Sequence, residues 1–382
     1  MKYYVTFQSP RYHQMTLEEF WYGGGGSTLV TNNENNTRVY AVEQIPQMVA
    51  GSVSRRALVS VLRDFVNAHR KLIDADLSTH YHSYKILKRS GGFRPIDEPL
   101  PALKAAQYEL KDILSVAFRA DTIYHTAAFA YVKHRSPVDA TKRHQSNESW
   151  WFAHLDFRNF FGSVTYEYTM RILSDIFPFC QVVEDPEGAA LLRDAMKLCF
   201  LNGVLPQGSP LSPMLTNIIM VPMDYVLASR LRDLDGKRFV YTRYADDMQF
   251  SCRVDFNVHM LEQLVEQVVR EFDAPFQLRP DKTSYGSRSG SNWMLGTLLN
   301  KDNKISIGYK NVRTFKNTLY NFIRDQQNQV PWETGDIYHA LGLYSWYRSV
   351  DPDGIDAIVQ QYHQKYGINA IAAMQAVIAG RQ

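Results

Sequence analysis

The chain has 382 residues, 45% of them hydrophobic and 21% charged, and a net charge of +3 at pH 7. The length suits two or three structural units with a sizeable core. The composition excludes a disordered or strongly basic chain, so any nucleic-acid surface has to be local. With no apolar run long enough to span a bilayer and no signal-peptide core after Met1, the chain reads as cytosolic, with no membrane contact. The three cysteines, Cys180, Cys199 and Cys252, lack CxxC or zinc spacing and read as buried thiols in a reducing compartment. Aromatic residues make up 13% of the chain, enough to permit base-stacking surfaces.

Residues 1–75 carry Gly23 to Gly26 and the polar stretch Thr31 to Thr37, read as loop, since no phosphate-loop Lys-Ser/Thr follows the glycines. Apolar residues from Val53 to Leu72 recur at helical spacing among Arg55, Arg56, Arg63, Arg70 and Lys71, which predicts a surface helix. Tyr84 to Pro99 reads as a β-hairpin around Gly91-Gly92, with Lys85, Lys88, Arg89 and Arg94 on its arms. Cations on such an arm suit a triphosphate, although a basic hairpin is also an ordinary solvated edge. Leu103 to Phe118 follows as an amphipathic helix. Residues 122–150 interleave His125, Phe129, Tyr131, Lys133, His134, Arg135, Lys142, Arg143 and His144, which predicts a surface tracking a nucleic-acid strand, with the histidines read as hydrogen-bonding or core residues rather than metal ligands.

Trp150 to Leu155 is an apolar run ending in Asp156, either a carboxylate at the end of a buried strand or a helix N-cap. Leu205-Pro-Gln-Gly-Ser-Pro-Leu-Ser-Pro213 is a compact turn before an apolar helix from Met214 to Leu227. There Gly208 allows close backbone approach, and Gln207 and Ser209 offer hydrogen bonds to a sugar or template. Phe239 to Ser251 reads as a tight hairpin with Asp246 and Asp247 at its turn. Two adjacent carboxylates repel unless a cation lies beside them, which points to a divalent metal. A helix from Val258 to Phe272, the segment Leu278 to Thr283, a second hairpin (Trp293 to Asn300 with Ile305 to Ile307) and helices from Lys310 onward complete the chain.

Four segments, in order, resemble the bacterial retron and group II intron type of reverse transcriptase, over about Tyr84 to Asn300. Lys88-Arg-Ser-Gly-Gly-Phe-Arg-Pro-Ile96 resembles the fingers motif and Leu155-Asp-Phe-Arg-Asn-Phe-Phe161 the first catalytic motif. Pro206-Gln-Gly-Ser-Pro-Leu-Ser-Pro213 resembles the template-and-primer motif, and Tyr244-Ala-Asp-Asp247 the signature box. The resemblance implies an α+β right-hand polymerase: fingers at 76–150, a palm with an antiparallel sheet at 151–300, a helical thumb at 301–382, and an extension at 1–75. It implies two Mg²⁺ ions, or Mn²⁺ in their place, with Asp156, Phe157 and Asp246 as the metal set and Asp247 as accessory ligand or structural neighbour. It assigns Lys282 to the leaving pyrophosphate and Lys88, Arg94, Phe160, Phe161, Gln207 and Gly208 to the nucleotide, Phe161 as the block to a 2′-hydroxyl. Tyr244, Ser209, Trp293 and Gly296 fall to primer and template.

Implied partners are dNTPs, a structured non-coding RNA template and its complementary DNA, with an effector protein or second copy as further candidates. Two motifs depart from the retron pattern: Asp139-Ala-Thr-Lys-Arg-His144 stands near the expected Asn-Ala-x-x-His, and Met294-Leu-Gly296 replaces Val-Thr-Gly. These departures, with no maturase or endonuclease segment, point to a stand-alone enzyme of the kind found in antiviral defence. A template-independent or RNA-synthesising polymerase and a non-catalytic RNA-binding scaffold are the alternatives. The three retained aspartates speak against the scaffold, and Phe161 against ribonucleotides.

Overall fold

The computed structural model describes residues 29–32, 37–40, 55–87, 91–118, 124–234, 238–290, 292 and 294–380. The chain forms two compact units, one of residues 1–135, 154–250 and 256–284, the other of 136–153, 251–255 and 285–382.

In the first unit, β1 (Leu29–Asn32) and β2 (Thr37–Tyr40) form a short antiparallel pair. The predicted surface helix spans Arg55–Ile73, burying Leu58, Leu62, Phe65 and Val66 on one face. On its polar side Arg63 pairs with Glu187 and Arg70 with Asp194 of helix Pro186–Lys197, so two of its basic residues serve packing between helices. The basic hairpin is present: β3 (Tyr81–Leu87) pairs antiparallel with β4 (Phe93–Pro99) across Gly91 and Gly92, both at positive φ. Helix Pro101–Phe118 follows.

A four-stranded sheet has the order β6-β7-β5-β8, with β5 at Trp151–Asp156, β6 at Val240–Tyr244, β7 at Asp247–Cys252 and β8 at Ser284–Ser287. Asp156 is therefore the last residue of a strand, which decides against the N-cap reading. Helix Ser212–Arg232 is apolar nearly all round and buried accordingly, with Leu215, Ile218, Ile219 and Leu227 all inaccessible. One acid interrupts it. Asp224 meets Arg243 of β6 at 2.7 Å, and the two side chains are 1% and 0% exposed. Tyr241 donates a further hydrogen bond to Asp224 at 2.8 Å. Helices Tyr166–Asp175, Phe179–Val183 and Pro186–Lys197 fill a region the sequence reading left without elements.

In the second unit, four helices at Tyr309–Gln327, Thr334–Val350, Pro352–Tyr366 and Ala370–Ala379 enclose Phe315, Leu319, Phe322, Ile337, Ile355 and Met374. The expected second hairpin is reduced to β9 (Leu298–Leu299) paired with β10 (Ile305–Ser306). The basic and aromatic stretch at 122–150 is not one strand-tracking surface. Pro137–Ser146 is a helix closed by a Ser136–Asp139 capping box. His144 is fully buried with its Nδ1 2.6 Å from Ser251 Oγ, and burial pushes its pKa down to about 3. Turn chemistry and core packing claim these side chains, leaving Tyr131, Lys133 and His134 among those exposed. Cys199 and Cys252 are buried free thiols, and Cys180 is partly buried.

Asp224→Ala leaves the Arg243 guanidinium buried without its carboxylate. The expected loss is about 3–5 kcal/mol of unfolding free energy, read from the urea midpoint.

Candidate active site

Strands β6 and β7 are joined by Ala245 and Asp246 alone. A two-residue link makes the pair an antiparallel hairpin. Ala245 lies at φ +58, left-handed backbone that costs a non-glycine residue about 1–2 kcal/mol. Arg243 Nη1 donates to the Ala245 carbonyl at 3.1 Å and holds the turn in that shape. Asp246 thereby sits at the tip, and its own carbonyl accepts from the Phe157 amide at 3.4 Å, just past the end of β5.

The two-residue period of a strand puts His154 and Asp156 on one face of β5. His154 Nε2 is 2.9 Å from Asp247 Oδ1 on the adjacent strand. Asp156, 4% exposed, accepts from Lys282 Nζ at 2.9 Å, and its carbonyl accepts from the Arg279 amide at 2.9 Å. Lys282 reaches it from the short turn Pro280–Lys282. Asp156, Asp246, Asp247 and Lys282 are thus gathered at one place, and His154 joins them. No motif flagged His154, although a histidine inside an apolar strand is itself a signal, because a buried polar group needs a partner.

Burial pushes the Asp246 carboxyl up to about 6, with repulsion from Asp247 and then Asp156 adding to it; its own backbone amide and Lys282 oppose the rise. For His154, burial disfavours the imidazolium, yet the Asp247 carboxylate together with the Lys282 backbone and Asp156 outweighs it and holds the pKa above the usual value. Hard oxygen donors crowded until one resists ionisation fit a divalent cation, which relieves that repulsion. Among the described residues no group of three or more His, Cys, Asp or Glu is placed to hold a metal ion by itself. Mg²⁺ usually binds through one or two carboxylates together with substrate phosphates and water, and this donor set suits that mode.

Around these carboxylates, Phe160 and Phe161 separate clearly. Phe160 is 2% exposed, its ring 6.0 Å from Phe157 and 5.1 Å from Phe276, while Phe161 is only half-buried. The Phe157 ring is likewise core, so only its main chain is open to a ligand role. Gly208 has φ +128, and a Cβ there would lie 2.6 Å from the Asp97 carbonyl. Glycine therefore lets the Pro-Gln-Gly loop dock on β4, where Asp97 N donates to Gln207 O at 2.6 Å. Gln207 Oε1 is buried without a hydrogen-bond partner. Ser209 is 4% exposed and its hydroxyl donates to Gln107, which leaves it inside the fold. Arg94 on β4 is exposed, and its guanidinium makes no hydrogen bond to any described residue. Tyr244 is half-buried at the end of β6. In the second unit, Gly296 has φ +85 beside the Trp346 ring. Lys88 and Trp293 lie outside the described residues.

Carboxylates gathered at a hairpin turn, with Arg94 exposed on β4 and making no hydrogen bond to a described residue, suit chemistry on a phosphate-bearing substrate. The chain belongs to the reverse transcriptase family of RNA-dependent DNA polymerases, whose profile matches residues 86–326. It is 30% identical to the retron Ec83 reverse transcriptase of Escherichia coli, over 81% of this chain and 94% of that one. Identity with the retron Mx162 reverse transcriptase of Myxococcus xanthus is 28%, covering 85% and 68%. With the retron Ec73 enzyme of Escherichia coli it is 26%, covering 74% and 87%. Among solved structures, telomerase from Candida albicans in complex with a fragment of telomeric RNA aligns with a TM-score of 0.44 at 11% identity, covering 88% of this chain and 68% of that one.

The activity is RNA-directed DNA polymerisation, on the α+β right-hand polymerase architecture expected from the sequence. The retron type holds despite the two motif departures. Within the first of them, the Asp139 side chain completes its helix's capping box and His144 reaches Ser251, so both ends of that element remain structural anchors.

A carboxyl held near 6 when folded, against an ordinary 3.8, loses stability as pH rises from 4 to 6 and carries the full penalty above that. Asp246→Asn should therefore raise metal-free stability at pH 8 by up to about 3 kcal/mol, with the gap closing toward pH 4. Urea denaturation at the two pH values checks it.

Proposed function

We propose that this reverse transcriptase copies a dedicated, structured partner RNA into DNA, in a cytoplasmic retron-like system with a role in antiviral defence. The likeness to retron enzymes along nearly the full length of the Ec83 protein supports that setting. The observation that carries the chemistry is the Asp246 turn, where a carboxylate is held against Asp156 and Asp247 at the cost of its own ionisation. Two divalent cations, Mg²⁺ or in its place Mn²⁺, would be held by Asp156 and Asp246 with the Phe157 carbonyl, and supply activation of the primer 3′-hydroxyl and stabilisation of the leaving pyrophosphate.

The chain's own residues orient the reactants. Arg94 offers five donors in a planar fork to the triphosphate, with Lys88 as a second cation for it. Lys282 Nζ holds the leaving phosphate or gives it a proton. Phe161, unlike Phe160, has ring surface free to crowd a 2′-hydroxyl. Gln207, half-buried, supports the nascent base pair, and Gly208 keeps that loop on β4. Tyr244 supports the primer end, with Trp293 and Gly296 as primer grip. Asp247, engaged with His154, positions the turn. Residues 76–150 act as fingers, 151–300 as palm and 301–382 as thumb. A partner effector protein completes the system.

Sequencing the nucleic acid that copurifies from the native locus tests the dedicated template: one dominant RNA with attached or paired DNA is expected, and heterogeneous RNA without DNA contradicts it. Asp246→Asn should cut primer extension by ~10³-fold or more while the fold persists. Phe161→Ala should narrow the preference for dNTP over NTP by at least about tenfold, measured as the ratio of kcat/KM values.

A further inference from the structure

Tyr131 belongs to none of the four motifs that mark the family, yet the first unit builds a support for it. The loop that carries it is laid along β6: Phe129 N donates to the Arg243 carbonyl at 2.8 Å, and Arg243 N to the Ala127 carbonyl at 2.6 Å. Asn217 Nδ2 donates to the Ala130 carbonyl at 2.6 Å, while Arg135 Nη1 ties together the carbonyls of His125 and Ala128, each at 2.7 Å. The chain is fixed up to Ala130. At Tyr131 it turns into left-handed backbone, φ +58, and presents a large aromatic ring that is 54% exposed.

That conformation disfavours any residue with a Cβ, and glycine or asparagine would hold it more cheaply. Strain of this kind at an exposed aromatic points to a use for the ring. The surroundings say what the use is. The ring centroid lies 6.4 Å from that of Tyr244 at a tilt of 40°. The pKa of the Tyr131 phenol is pushed up by partial burial and by Tyr244 and Asp246, and pulled down by Arg94. A nucleotide whose phosphates reach Arg94 and whose reacting end lies at Asp246 has its sugar and base beside this ring.

We propose that Tyr131 is a substrate-contacting residue of the polymerase site, its ring packing against the sugar and base of the incoming deoxynucleotide with Tyr244 as its aromatic neighbour. The inference rests on placing the triphosphate at Arg94 and the reaction at Asp246. Stacking on a flat ring tolerates all four bases, so the contact serves affinity rather than sequence choice.

The test uses the full chain on a primed RNA template, with steady-state kinetics in dNTP and urea denaturation in parallel. Tyr131→Gly and Tyr131→Asn remove the ring while suiting the left-handed backbone. Both should raise the KM for dNTP about tenfold with the urea midpoint unchanged or higher, a combination that a purely structural tyrosine would not produce. Tyr131→Phe keeps the ring and should stay within threefold of the wild-type KM. A KM within threefold of wild type in the Gly or Asn variant, a rise that only follows lost stability, or a Phe variant as impaired as the Gly variant would overturn the proposal. Asp246→Asn measured alongside separates two failures. If it still extends primers, the placement of the reaction is wrong and Tyr131 falls with it. If it is inactive while Tyr131→Gly keeps a normal KM, only the role of Tyr131 fails.

Discussion

The contact on which the site depends is the buried pair of Arg243 and Asp224. Taking both charges out of water is costly, and their attraction compensates only when the remaining donors are satisfied. Here they are. The guanidinium bonds both oxygens of Asp224, the Asn217 side chain and the Ala245 carbonyl. Through those bonds one side chain fixes the strained turn before Asp246 and, by way of Asn217, the loop that ends at Tyr131. A lysine could not replace it, because a single ammonium lacks the planar fork that reaches several acceptors at once. Charge inside this core is spent on shape, and the shape is that of the site.

On that rigid support the carboxylates are held in mutual conflict. Asp246 resists ionisation because burial and two neighbouring acids oppose its charge, and Asp247 is calmed by His154. A fold optimised for stability alone would not keep three acids so close. The conflict is local, and a cation bound beside these carboxylates would relieve it.

Much of this was legible in the chain, for physical reasons. Hairpins at Gly91-Gly92 and at Asp246 declare themselves through turn residues between β-prone runs, and Asp156 through a lone acid closing an apolar run. The long buried helix around Ile218 showed in its continuous apolar character. What escaped depends on partners distant in sequence. Arg243 reads as an ordinary polar position of an alternating strand until Asp224, inside an apolar helix, is seen as its counter-charge. His144 reads as a hydrogen-bonding or core histidine, and it is one, but its partner Ser251 lies 107 positions away and is invisible locally. The helices between Tyr166 and Lys197 carry little motif chemistry and are set by packing. Tyr131 was visible only as one aromatic among many; its backbone conformation and its neighbours are tertiary facts.

The ion pair between Lys282 and Asp156 joins two elements 126 positions apart in sequence, the end of β5 and the short turn Pro280–Lys282. The same turn is tied a second time, because the Arg279 amide donates to the Asp156 carbonyl. Side chain and main chain of one acid are thus both fastened to one short segment, so any displacement of that turn is transmitted directly to the end of the strand.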